Sequence, residues 1–220
     1  MSACRWVLWV AMIAAGCLGA GPVAAGPVTY TGFVVTDVSL NGDFYHNASV
    51  QLTFAGDTSN IQWFNLTGSN GASGSGWQIK QGCASVLVTS GSVAIQAQFA
   101  PGQIVVSYDW YNGGAGFSSL WSDNHLEPAY PLGLDGVAIT SLPDLQTTGS
   151  WSGHAWSCIG FPPSPGYGTG SCADPTAYPL QTDHGPLVMY MPYFMTDSTG
   201  TIKNNFSAAI NAGVFSVSVQ

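Results

Sequence analysis

Charge is what this sequence has least of. Only 6% of the 220 residues are Asp, Glu, Lys or Arg, and three Lys+Arg stand against eleven Asp+Glu, a formal net charge of -8. An average soluble domain is about a quarter charged, so this surface must be wetted by Ser, Thr, Asn, Gln and backbone groups. Three cations cannot build the basic face that neutralises phosphates, which excludes nucleic acid as a partner. An anionic membrane surface falls for the same reason. Helical signal is scarce too, because Ala, Leu, Glu, Lys and Arg are scattered and no apolar stripe recurs at i, i+3, i+4. Dinucleotide-binding, P-loop, kinase, EF-hand and zinc-finger patterns are missing. Disorder is excluded from the other side, since 46% of the residues are hydrophobic.

The first 25 residues read as a secretory signal peptide. Arg5 is their only charge, and the apolar run from Trp6 to Ala15 has the length of a signal core while being too short to span a bilayer. Gly21-Pro22-Val23-Ala24-Ala25 then offers small residues for a cut before Gly26. The expected organisation is a signal peptide over 1–25 and one domain over 26–220, secreted to an extracellular or periplasmic space. A rival cut precedes Cys17, where Ala14-Ala15-Gly16-Cys17 resembles a bacterial lipobox. Ala14 stands where Leu is usual, so a lipid anchor through Cys17 is the weaker expectation. No later apolar stretch is long enough to span a membrane as a helix. The mature chain would keep Lys80 and Lys203 against eleven acids, a formal charge of -9.

Export would leave Cys83, Cys158 and Cys172, enough for one disulfide and one residue over. Cys158 and Cys172 flank a Pro/Gly-rich segment that can be neither helix nor regular sheet, so these two are the expected bridge. In the chain-entropy model a loop of this length gains about 3 kcal/mol from such a tether. Cys83 is then expected as a buried thiol in an apolar strand.

Period-two alternation is the positive structural signal. Ala48, Val50, Leu52 and Phe54 alternate with polar neighbours, as do Val93, Ile95, Ala97 and Phe99, then Ile104, Val106, Tyr108 and Trp110, and finally Phe215, Val217 and Val219. Turn residues fall between the runs, at Asn41-Gly42-Asp43, Gly56-Asp57, Ser90-Gly91 and Pro101-Gly102. The expected fold is all-β: a two-sheet antiparallel β-sandwich, jelly-roll-like, with long loops. The Gly/Ser tract 68–76 reads as a loop. The longest irregular stretch is 113–186, where proline concentrates and only Val137–Leu142 reads as a clean strand.

Catalytic patterns are weak. Glycoside hydrolysis needs a pair of carboxylates, yet Glu127 is the single Glu, and Asp43, Asp57, Asp135, Asp144 and Asp197 border turn residues. Gly71-Ala72-Ser73-Gly74-Ser75 misses a nucleophile elbow at its last place. His125, His154 and His184 match no metal-ligand spacing, so no cofactor and no metal is expected. The loop aromatics point further. Trp121, Trp151 and Trp156, interleaved with Asp123, Asn124, His125 and His154, could offer flat faces and hydroxyl partners to a sugar ring. The competing reading buries these Trp beneath the loops. The expected function is that of a secreted, non-catalytic protein of binding or surface type, its partner a neutral glycan or another protein. A scarcity of Lys at strand edges leaves self-association open. The alternative is an extracellular hydrolase with its site in 113–186, using Asp123, His125 or Asp183. A transmembrane β-barrel is disfavoured by the frequent proline and the missing charged lumen residues.

Overall fold

A computed structural model describes residues 25–67, 73–109, 114–119, 129–135, 144–158, 179–190, 194–196, 202–204 and 212–220. Residues 1–24, with the expected signal core and Cys17, lie outside them.

The described residues are nearly all strand. β1 (Pro27–Leu40) and β2 (Asp43–Asp57) form a long hairpin, and one 3-10 turn (Thr58–Asn60) leads into β3 (Ile61–Thr67) and β4 (Ser73–Ile79). β5 (Gly82–Ser90), β6 (Val93–Gln98), β7 (Ile104–Asp109) and β8 (Gly114–Ser119) follow, then β9 (Ala129–Asp135) and β10 (Gly149–Cys158). The C-terminal part supplies β11 (Leu180–Thr182), β12 (Gly185–Tyr190), β13 (Phe194–Thr196), β14 (Ile202–Asn204) and β15 (Ala212–Val219). Thirteen strands make one antiparallel sheet in the order β3-β4-β7-β8-β9-β10-β15-β1-β2-β5-β6, with β12 also on β1 and β11 on β12; β13 and β14 pair separately.

Turn chemistry sets the hairpins. Asn41 and Gly42 both have positive φ (53° and 89°), the type I′ pattern that matches strand twist. Gly91 alone is positive in the two-residue turn before Val93, as a type II′ turn requires. A bulge interrupts β1/β2 where Thr36 pairs Ala48 but Val38 pairs Tyr45. Asn47 takes φ 48° there, and its N–H donates to Asp37 Oδ1 at 2.8 Å.

The alternating apolar positions share one core. Val28, Tyr30, Val34 and Val38 of β1, Ala48, Val50, Leu52 and Phe54 of β2, Val86 and Val88 of β5, Val106 and Tyr108 of β7, Phe117 of β8 and Phe215 of β15 are all buried in it. The sheet is strongly curled. Phe117 on β8 and Phe215 on β15 are three strands apart, which in a flat sheet is about 14 Å. Their ring centroids are 6.0 Å apart. Ile79 of β4 likewise lies against Gly56 of β2, seven places away in strand order. Tyr30 ties in the segment before β10: its buried hydroxyl donates to the Leu145 carbonyl at 2.9 Å. Burial, and secondarily the charge of Asp144, push its phenol pKa well above the ordinary value.

Three expectations need correction. The stretch 113–186 holds more strand than Val137–Leu142 alone, since β8, β9, β10, β11 and the start of β12 lie among its described residues. Its Gly, Ser and Pro residues blur alternation; β8, β9 and β10 still pair in sequence, while β10 also takes β15 and β12 takes β1. Val137–Leu142 lies outside the described residues. Cys83 is not buried: it is exposed on β5, opposite in alternation to Val86 and Val88. The tract 68–76 is not all loop, because β4 begins at Ser73.

Candidate functional site

Every strand with one face in the core turns the other outward, and cross-strand register decides which outward residues meet. Across β10, β15, β1, β2 and β5 the register aligns Ser150, Ser216, Thr31, Thr53 and Ser85, with Gln98 of β6 beyond. Five hydroxyls on five adjacent strands, at about 4.8 Å per strand, make a row about 19 Å long. Ser150 Oγ and Ser216 Oγ are 2.9 Å apart, a direct hydroxyl contact. All six side chains are exposed or half-buried.

The neighbouring rows continue the surface. On one side run Val214, Phe33, Gln51, Leu87 and Gln96, then Val35, Ser49, Thr89 and Ala94. On the other, Ser218, Thr29, Ala55 and Cys83 align. No charged residue occurs in these four rows. These four rows are therefore a field of hydroxyl, amide and methyl groups, with Phe33 the one aromatic ring among them.

At the bulge end of β1 the chemistry changes. Phe44 is 47% exposed, and its ring lies 4.7 Å from that of His46 and 5.3 Å from that of Tyr190, centroid to centroid. His46 Nδ1 stands 3.5 Å from Asp37 Oδ2. Tyr190 reaches this patch because it pairs with Asp37 across β12/β1, and its carbonyl accepts from Thr36 Oγ1 at 2.8 Å. On the edge hairpin the exposed Trp63 meets Trp77, half-buried against the core, edge to face at 5.0 Å.

The residues expected to bind ligand divide into two groups. Trp121, Asp123, Asn124 and His125 lie outside the described residues. Trp151 is on β10, pairs with Phe215, and is half-buried against the core, its indole over Gly149. His154 pairs with Ala212 and Asp135, and Trp156 with Gly133. The backbone thus brings Trp151, His154 and Trp156 onto one strand, at positions of opposite parity for Trp151 and the other two. Cys158 closes β10 after a bulge, and Cys172 lies outside the described residues.

The acids do structural work where they are described. Asp57 accepts from Ser59 N and Oγ, which lowers its carboxyl pKa, and Asp144 accepts from Gln146 N and Thr147 Oγ1. Asp183 accepts from His184 Nδ1 at 2.9 Å and from Gln98 N at 2.8 Å, and these bonds hold its carboxyl below the usual range. Among the described residues no three His, Cys, Asp or Glu cluster as metal ligands. No helix among them is long and apolar enough to cross a membrane. Asp109 ends β7 opposite Gly76 and Gly114.

Sequence reasoning finds the polar side of β2, β6, β7 and β15 but not the row. Thr53, Gln98, Ser216 and Ser218 are legible as wet positions; that they align is a property of strand order. The Phe44–His46–Tyr190 patch was missed altogether, since it joins residues almost 150 positions apart. No family model, curated protein or solved structure matches this chain.

Proposed function

We propose that this chain is an exported, non-catalytic binding or surface protein that meets a neutral, hydroxyl-rich partner through the uncharged outer face of β10-β15-β1-β2-β5-β6. The proposal includes a signal peptide over 1–25, a single domain over 26–220, and layers that amount to a jelly-roll-like β-sandwich. The hydroxyl row carries this reading. Hydroxyl and amide groups at fixed cross-strand spacing can exchange hydrogen bonds with a neutral glycan, and Phe33 and Leu87 beside them can receive its apolar C–H faces. The scarcity of cations suits an uncharged ligand. Trp121, Trp151 and Trp156, with Asp123, Asn124, His125 and His154, are a second proposed contact for the same ligand.

Affinity electrophoresis of the mature protein through gels containing cellulose, xylan or starch derivatives tests this. At least one neutral polymer should retard it. Thr53→Asp or Phe33→Asp should weaken retention about tenfold, equivalent to ~1.4 kcal/mol, while Trp121→Ala reports the second proposed contact separately. Failure of every neutral polymer to retard the protein, or turnover of an ester, glycoside or peptide, would contradict the proposal. The proposed Cys158–Cys172 tether is tested by peptide mapping without reduction. A peptide linking those two supports it, and a linked peptide containing Cys83 contradicts it.

A further inference from the structure

β6 ends the large sheet, and its backbone groups can be accounted for one by one. Ser90 pairs with Val93 across a two-residue turn, so Val93, Ile95 and Ala97 direct their N–H and C=O groups to β5. Phe99 follows the same rule, donating to the Ala84 carbonyl at 3.0 Å. Ala94, Gln96 and Gln98 therefore point theirs away from the sheet. Gln98 is capped: its N–H donates to Asp183 Oδ1 at 2.8 Å and its carbonyl accepts from Asp183 N at 3.0 Å. Ala94 and Gln96 are exposed, as is Val93 at 43%. Among the described residues nothing pairs with them, so two N–H and two C=O groups stand in line at an open edge.

We propose that this stretch of β6 pairs antiparallel with the same stretch of a second copy of the chain, about a two-fold axis through Ile95. Ala94 then faces Gln96 of the second copy, and Gln96 faces its Ala94. These two pairs exchange four hydrogen bonds and satisfy all four open groups. Ile95 meets its own symmetry mate in the closer, non-hydrogen-bonded position, next to the core against which it already packs.

Two observations favour a second copy over another extended peptide. The chain is strongly acidic overall, yet residues 81–108 contain no charged side chain. Copies therefore meet at this edge without the like-charge opposition expected elsewhere on the surface. The register also fits the cap. Val93 of the second copy falls opposite Ala97, and its turn begins beside Gln98, where Asp183 ends the open edge. Both outer faces then lie on the same side, so the dimer doubles the uncharged surface. This dimer is independent of what that surface binds.

Sedimentation equilibrium of the mature protein tests the proposal, together with oxidative cross-linking. The interface is smaller than a standard one, so a weak dimer is expected, dissociating at or below about 100 µM. Ile95→Cys should cross-link to its mate, because Cα atoms in such a pair are about 4.5 Å apart. Val93→Cys should not, since it faces position 97 and its mate lies about 13 Å off along the strands. Gln96→Pro removes an outward N–H that β5 does not use, and Ala94→Lys places two charges in the interface; both should give monomers with unchanged circular dichroism. A protein monomeric at about 100 µM, a dimer that survives both substitutions, or equal cross-linking at 93 and 95 would overturn the proposal.

Discussion

Residues 27–109 and residues 114–190 contribute strands to the same sheet, but they are specified in different ways. In the first region, hairpins dominate. Alternation is clean, the turns at Asn41-Gly42 and Gly91-Ser92 have the backbone angles their residues favour, and most strands pair with a neighbour in sequence. In the second, β8, β9 and β10 also pair in sequence, but β10 takes β15 and β12 takes β1 as further partners, at separations of roughly 60 and 150 residues. The contrast teaches that local turn chemistry can write half of such a sheet, while the other half is held by a few long-range anchors. Tyr30 is one anchor, through Leu145. Trp151, packed against the core beside Phe215, is another.

Substitutions can break that contrast in graded steps. The largest effect belongs to Phe54→Ala, which empties a fully buried site on β2 and should cost about 3–5 kcal/mol in denaturant unfolding. Because that core serves both regions, hydrogen exchange should rise throughout. Tyr30→Phe removes only the hydroxyl and leaves the Leu145 carbonyl without that donor, a loss of about 1–3 kcal/mol. Here exchange should rise in 144–158 while β2, β5 and β6 keep their protection; equal loosening of both regions would erase the distinction. Gly185→Ala is next, at roughly 1–2 kcal/mol in thermal unfolding, because φ is +101° and a Cβ would collide with Asn41. The effect should centre on the β11/β12 hairpin and the adjoining β1/β2 turn.

The pH effects are smaller and run in opposite directions. The Tyr30 phenol is raised in the folded protein, so its contribution is complete below about pH 10 and is lost as pH rises through the folded value. Alkaline titration should therefore destabilise the protein above about pH 10, and Tyr30→Phe should flatten that limb. The Asp183 carboxyl is lowered, so its contribution is present above the ordinary carboxylate value and is lost as pH falls below about 4. Amide exchange at Gln98 should accelerate in acid beyond the intrinsic rate, and Asp183→Asn should remove most of that excess.

Much of the fold was legible in the sequence. β1, β2, β3, β5, β6 and β7 fall within a few residues of their alternating runs because one dry face and one wet face leave a period of two. β8 and β9 did not announce themselves: Gly114, Gly116 and Gly133 carry no side chain to alternate, and Pro131 argues against a strand taken alone. Cys83 was misjudged for a simpler reason. It lies among apolar neighbours, but its place in the alternation is the outward one. The candidate site was legible only as fragments, since no local pattern tells that Ser150 will stand beside Ser216 or Thr31 beside Thr53.

That alignment is what the account depends on, and nuclear Overhauser effects between backbone protons test it most directly. Gln98 points its backbone groups outward, so Ser85 bonds to Thr53 and Thr31 to Ser216; Thr53–Thr31 and Ser216–Ser150 are the non-hydrogen-bonded pairs. Strong Hα–Hα effects are predicted between Thr31 and Thr53 and between Ser150 and Ser216. Their absence, with effects from Thr31 to Leu52 or Phe54 instead, would shift the strands by one residue, turn the hydroxyl row into the core and contradict the account.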